Sequence, residues 1–156
     1  MKKTTNLVWG GRFEYDSSDI LKKINNSISF DYNLAHQDIK LNKQYAKSLF
    51  KAKILSVNEL KKINVALDDI HLEVKKKKFK FSDDYEDIHM NIEMALRKKV
   101  GRLAGKLHTG KSRNDQVATD VKLWTKEKIK NVIDKIRKIQ KTIIKRSESN
   151  LNVIMP

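Results

Sequence analysis

Between Lys106 and Gln116 the chain reads KLHTGKSRNDQ, a stretch dense in groups that hold anions. A turn at Gly110 runs into Ser112, Asp115 lies three residues later, and no glycine or proline follows until Pro156. That order predicts a loop feeding a helix, with Ser112 as N-cap and Asp115 returning a hydrogen bond as in a capping box. Free backbone N–H groups and the positive end of the helix dipole would then face Lys106, His108, Thr109, Lys111, Arg113 and Asn114. A carboxylate or phosphate suits such a place. On physics alone, an ordinary helix start with solvated charges stays open beside that reading.

Other residues carry weaker signals. The Asn114 amide can donate to a carboxylate and accept from an amine or guanidinium, as an amino-acid-like substrate requires. Arg113 can pair a carboxylate bidentately or form a structural salt bridge. Ser27, within NNSISFD, is by itself a turn residue. Asp87, His89 and Asn91 fall at the start of a helix, where caps and packing contacts are common. His89 and Glu93 stand four apart, but two ligands without a third do not make a metal centre, and no metal is expected. His36 and His71 have no motif around them.

The elements that must position these groups are helical. The chain has five glycines and one proline, Pro156, so breakers are few. A short helix and loop are expected over 16–29, and a second helix over 32–53 with Leu34, Ile39, Tyr45, Ala46 and Leu49 inward. Ser56 and Glu59 form a capping box that opens a third helix carrying Leu60, Ile63, Leu67, Ile70 and Val74. Lys75 to Lys78 reads as its solvated end. After a connector with Phe79 and Phe81, Asp83 and Asp84 are expected to cap a fourth helix with Ile88, Ile92, Leu96 and Val100, ended by Gly101. The longest helix should run from Arg113 to about Asn150. Its apolar seam (Val117, Val121, Trp124, Ile129, Val132, Ile136, Ile139, Ile143) needs partners along a length of about 55 Å.

The formal net charge is +15, which attracts phosphate backbones in general. Lysine outnumbers arginine 28 to 6, however, and is scattered along every expected helix. Base and phosphate readers lean on the bidentate guanidinium, so nucleic acid is not the expected partner. Ile, Lys and Asn share A/T-rich codons, and nucleotide bias explains the excess. There are no cysteines, hence no disulfide or thiolate metal site. Without a signal-like or membrane-length apolar segment, a cytoplasmic protein with no membrane contact is expected.

KLHTGKSRNDQVATD, from Lys106 to Asp120, resembles the signature of the argininosuccinate lyases, members of the fumarase/aspartase superfamily, with Lys111 in place of arginine. WGGRF (Trp9 to Phe13), NNSISFDYNLAHQDI (Asn25 to Ile39) and EDIHMNIE (Glu86 to Glu93) follow the family's order and spacing. Leu41 to Gln44 stands where the family has small residues, and Ile24 where it has Phe. The resemblance implies an all-α fold: the N-terminal part of a fumarase/aspartase-like helical-bundle lyase with one long bundle helix. Residues 1–111 would form its N-terminal helical domain and 112–156 the start of a truncated central bundle domain.

The same resemblance implies reversible elimination of fumarate from argininosuccinate to give arginine, without metal or organic cofactor. It makes Ser27, Thr109, Ser112, Arg113 and Asn114 substrate contacts and Asp87, His89, Asn91, His108 and Lys111 supporting residues. The partners it implies are the small-molecule substrate and three further copies, in a homotetramer whose active sites are shared between subunits. The catalytic base and acid are expected beyond Pro156, so the chain reads as an incomplete N-terminal fragment, inactive alone. Adenylosuccinate lyase and fumarase fit HTGKSRND poorly. The alternative is a non-catalytic crystallin-like or relic helical protein of the same superfamily.

Overall fold

The computed structural model describes residues 19–154, so the WGGRF segment, expected to anchor an N-terminal arm, lies outside the described residues. Within them every regular element is helical: α1 (Asp19–Asn25), α2 (Ile28–Asp31), a 3-10 turn (Tyr32–Leu34), α3 (Ala35–Lys51), α4 (Val57–Lys75), α5 (Ile88–Val100), α6 (Leu103–Lys106) and α7 (Arg113–Glu148). The chain falls into two compact units, Met1–Asp120 and Val121–Pro156.

In the first unit, α3, α4 and α5 pack on one another and α6 closes against α4 and α5. Their inward stripes supply the core: Ile39, Ala46 and Leu49 from α3, Ile63, Leu67 and Ile70 from α4, Ile88, Ile92 and Leu96 from α5. Leu34, Tyr45, Leu60, Val74 and Val100 pack at its edge, as their helical spacing predicts. Leu55, Ala104 and Leu107 fill gaps beside them.

The helix ends show which local signals prevailed. The Ser56 and Glu59 capping box forms in both directions, at 3.2 and 2.8 Å. Gly101 ends α5 at φ 64°, its N–H donating to Arg97 O. Lys77, past the end of α4, takes φ 55° and is exposed with its neighbours. The cap of α5 is displaced from expectation: Asp87, not Asp83 or Asp84, accepts from Met90 N at 2.6 Å. Asn91 holds the preceding segment back, accepting from Ser82 N and donating to Ser82 O.

α7 runs unbroken for 36 residues, close to the expected span. The expected capping box at its start does not form: Ser112 is exposed, and its Oγ makes no cap bond among the described residues. The loop before it is tied down through other groups, Tyr45 Oη donating to Thr109 O at 2.7 Å and Lys111 Nζ to Asn42 Oδ1 at 2.5 Å. In the second unit Ile129, Val132, Ile133, Ile136, Ile139, Ile143 and Ile144 are all exposed, so the seam has no partner within the unit.

Candidate active site

Three segments of the first unit meet around the start of α7. Ser27 N–H donates to Glu86 O at 2.8 Å, and Ser27 Oγ donates to Asp31 Oδ2 at 2.6 Å. The Asp31 carboxylate also accepts from Ile88 N, at 3.2 and 3.3 Å to its two oxygens. The α2 start is thereby bound to the α5 start. Asp87 uses one oxygen as the helix cap and turns the other to Arg113, Nε to Oδ2 3.3 Å. Arg113 also reaches Gln116 Oε1. Ser27 and Arg113 are thus both tied to the Glu86 to Ile88 segment, although they lie far apart in sequence.

The loop itself turns at Gly110, whose φ of 68° favours glycine. A Cβ built there would meet Tyr45 Oη at 3.6 Å, so the backbone geometry, and not crowding, sets the requirement. Thr109, Ser112 and Asn114 are exposed, and their side chains make no hydrogen bond among the described residues. They remain available to a ligand beside the unbonded first-turn amides of α7. His108 stands at the edge with Nδ1 3.2 Å from Glu93 Oε2. Asn91 is buried and occupied with Ser82 and Asp87 O, a scaffold contact at the start of α5.

Beneath the loop lies a buried polar cluster that sequence reasoning did not assemble. Asp38 Oδ1 accepts from His89 Nδ1 at 2.9 Å and from Gln116 Nε2, and Asp38 Oδ2 accepts from Asn42 Nδ2 at 2.9 Å. Asp120 completes it, with Oδ2 3.5 Å from His89 Nδ1. Donor atoms of Asp38, His89 and Asp120 lie within 4.8 Å of one another. His89 Nδ1 and Asp38 Oδ1 are engaged in a hydrogen bond with each other, and Asp38 Oδ1 also accepts from Gln116. His89 engages Asp38, while Glu93 engages His108. The signal was present: Asp38, Gln116 and Asp120 close the same motif strings that contain Ser27 and Asn114.

Charges in this region are displaced for identifiable reasons. Burial works against ionised Asp38, but the hydrogen bond and charge of His89, with hydrogen bonds from Gln116 and Asp120, hold it below the ordinary carboxylate value. Burial, then the adjacent Asp38 charge, push Asp120 up to about 8. Desolvation lowers Lys111, opposed by Asp38 and Glu93. Glu86 is raised by burial and by Asp87, with Arg113 opposing. The site therefore offers a cationic, partly dry rim over a buried carboxyl pair.

An all-helical unit with this loop at the head of a long helix is of the lyase kind, and the chain belongs to the family described as lyase, which it matches over residues 11–156. It is 47% identical over 152 residues to the argininosuccinate lyase of Ehrlichia ruminantium (strain Welgevonden), covering 97% of this chain and 33% of the relative. To the argininosuccinate lyase of Ehrlichia canis (strain Jake) it is 50% identical over 151 residues, 97% of this chain and 32% of that protein. The Bacillus anthracis (strain CDC 684 / NRRL 3495) argininosuccinate lyase is 42% identical over 149 residues, 96% of this chain and 32% of its own length. The chain thus spans about a third of the length of these relatives.

Proposed function

We propose that this chain is the N-terminal portion of an argininosuccinate lyase, and that the loop at the head of α7 binds a substrate carboxylate. The observation that carries the reading is Arg113, held by Asp87 beside exposed Thr109, Ser112 and Asn114 at a helix start with unbonded amides. Ser27 joins this set from the residue before α2, while Asp87, His89, Asn91, His108 and Lys111 position it.

In the forward reaction a base removes a proton from the carbon next to a succinyl carboxylate. The C–N bond then breaks, its electron pair leaving with the guanidinium nitrogen, which an acid protonates to give arginine and fumarate. Negative charge building on the carboxylate in between is what fixed donors and cations at the α7 start stabilise. The base and acid belong to sequence beyond Pro156, so the chain alone is inactive. No metal or organic cofactor takes part in this reading.

Residues 1–111 act as the N-terminal helical domain, and 112–156 open the central bundle domain. The assembled protein is a cytoplasmic homotetramer with shared sites, and the exposed α7 seam supports this by requiring apolar partners. No helix among the described residues is long and apolar enough to cross a membrane.

A chimera tests the proposal. This chain joined to the remaining two thirds of the Ehrlichia canis protein should release fumarate, read by ultraviolet absorbance, while the 156-residue chain alone should not. A chimera that assembles but gives no turnover would favour the non-catalytic alternative. Turnover by the chain alone would misplace the catalytic groups.

A further inference from the structure

Asp120 poses a problem of charge. It is fully buried, and no donor reaches either of its oxygens. The donors of the cluster are aimed at Asp38 instead: Asn42 Nδ2 at 2.9 Å, His89 Nδ1 at 2.9 Å, and Gln116 Nε2. His89 Nδ1 lies 3.5 Å from Asp120 Oδ2, but its one proton is committed to Asp38. The other charged group acting on the pair is Lys111 from the loop, which in turn feels Glu93 from α5 and Arg113 from the head of α7. The Lys111 ammonium is held off on Asn42 Oδ1 at 2.5 Å and above the Tyr45 ring, 5.2 Å from its centre.

Two buried carboxylates with oxygens within 4.8 Å of each other, where every donor is turned to one and none to the other, do not both ionise. A proton placed on Asp120 turns an unsatisfied acceptor into a donor, and Asp38 is the neighbouring carboxylate that can accept it. Asp38 already gathers three donors, so it is the member that stays charged.

We propose that Asp38 and Asp120 share one proton, resident on Asp120 and donated to Asp38, and that this buried carboxyl pair is the positioning element that seats the head of α7 against α3 and α5. Asp38 and Asn42 lie on α3, His89 on α5, and Gln116 and Asp120 one turn apart on α7. The shared proton therefore ties α7 to α3, and the His89 hydrogen bond to Asp38 brings α5 to the same point. Asn42 extends the tie to Lys111, and Gln116 extends it to Arg113, so the pair sets the position of the loop that carries the candidate site. Burial and the Asp38 charge act in the same sense, pushing Asp120 up to about 8. Above that pH the proton leaves, two adjacent buried charges repel, and the head of α7 loosens.

That the loop binds substrate rests on the function proposed above, but the shared proton does not, and neither readout of its test needs turnover. Infrared difference spectra of the 156-residue chain, with carbon-13 in the aspartate carboxyls to separate them from glutamates, should show a protonated aspartate band at neutral pH. The band should vanish with a midpoint of about 8 and be missing from Asp120→Asn. In parallel, tryptic cleavage after Lys111 and Arg113, corrected for the protease's own pH dependence on an unstructured peptide, should speed up severalfold through the same midpoint. In Asp120→Asn, which keeps the shape without the charge, it should stay flat. Absence of the band from the wild-type chain at neutral pH, or its survival in the variant, overturns the shared proton. A band that titrates while cleavage does not overturns the positioning role. Should Asp120→Asn fail to fold, the wild-type band and the matching of its midpoint to the cleavage midpoint still decide both points.

Discussion

Lys111 and Asn42 are joined by a short hydrogen bond, Nζ to Oδ1 at 2.5 Å, and the same Asn42 amide donates to Asp38 Oδ2 at 2.9 Å. One side chain therefore couples the cation of the loop to the buried carboxylate beneath it. Lys111 stands in place of the arginine of the signature that the loop resembles. A compact ammonium lacks the fork of a guanidinium, and here it is met by the single oxygen of the Asn42 amide on α3.

Asn42→Ala should accordingly leave a half-buried ammonium without its acceptor and Asp38 short of one donor. Loss of hydrogen bonds to charged groups at a buried position predicts a destabilisation of about 1.5–3 kcal/mol. Urea denaturation of the chain measures it, and an unchanged midpoint would show that the bridge carries no stability.

The two buried aspartates give opposite pH dependences. Asp38 is held below its ordinary value of 3.8 when folded, so its contribution is fully present above that pH and fades as pH falls through the lower folded value. Asp120 is held above the same value, so the folded state binds the extra proton, and stability declines as pH rises from 3.8 towards about 8, then levels off. Asp120→Asn removes only the second effect. Its stability relative to the wild-type chain should rise across that window by at most ~1.4 kcal/mol per pH unit and stay flat above it. Denaturation midpoints for both chains over a pH series check this, and parallel curves would contradict it.

Much of this arrangement is legible in the sequence, and what is not has a physical reason. Ser56 with Glu59, Gly101 and the periodic isoleucines are local signals, and no tertiary contact overrides them. The α5 cap is ambiguous locally, because Ser82, Asp83, Asp84 and Asp87 can all cap; the choice falls to Asp87 because Asn91 and Asp31 bind the segments on either side. Ser112 fails as a cap because Tyr45 and Asn42, distant in sequence, hold the loop. The motif strings mark Ser27, Arg113 and Asn114 for chemistry. The meeting of Asp38, His89 and Asp120 exists only once three helices pack, and no spacing within one helix encodes it.

Arg113→Lys in the active chimera should weaken the contact to Asp87 and lose the second nitrogen directed to Gln116. With a charge-assisted hydrogen bond worth about 1.5–3 kcal/mol, kcat/KM should fall by ~10–100-fold. Steady-state kinetics decide, and a change under twofold would make the Asp87 pair a structural tie without bearing on substrate.

The exposed isoleucines of α7 should drive self-association of the 156-residue chain, since each buried side chain of this size gains about 1.5–3 kcal/mol. Replacing Ile136 and Ile143 with lysine should shift the chain towards monomer in sedimentation velocity. A wild-type chain that is monomeric at high concentration would remove the support that the seam lends to the tetramer.

The most direct test of the proposed function is fumarate release by the Asn114→Ala chimera. Asn114 is exposed and makes no hydrogen bond among the described residues, so its removal disturbs no described contact. The account predicts unchanged sedimentation with turnover reduced by ~100-fold or more, the loss expected when a site built to hydrogen-bond its substrate leaves a polar group unpaired. Near-normal turnover would remove Asn114 from the site and contradict the placement of the substrate at the head of α7.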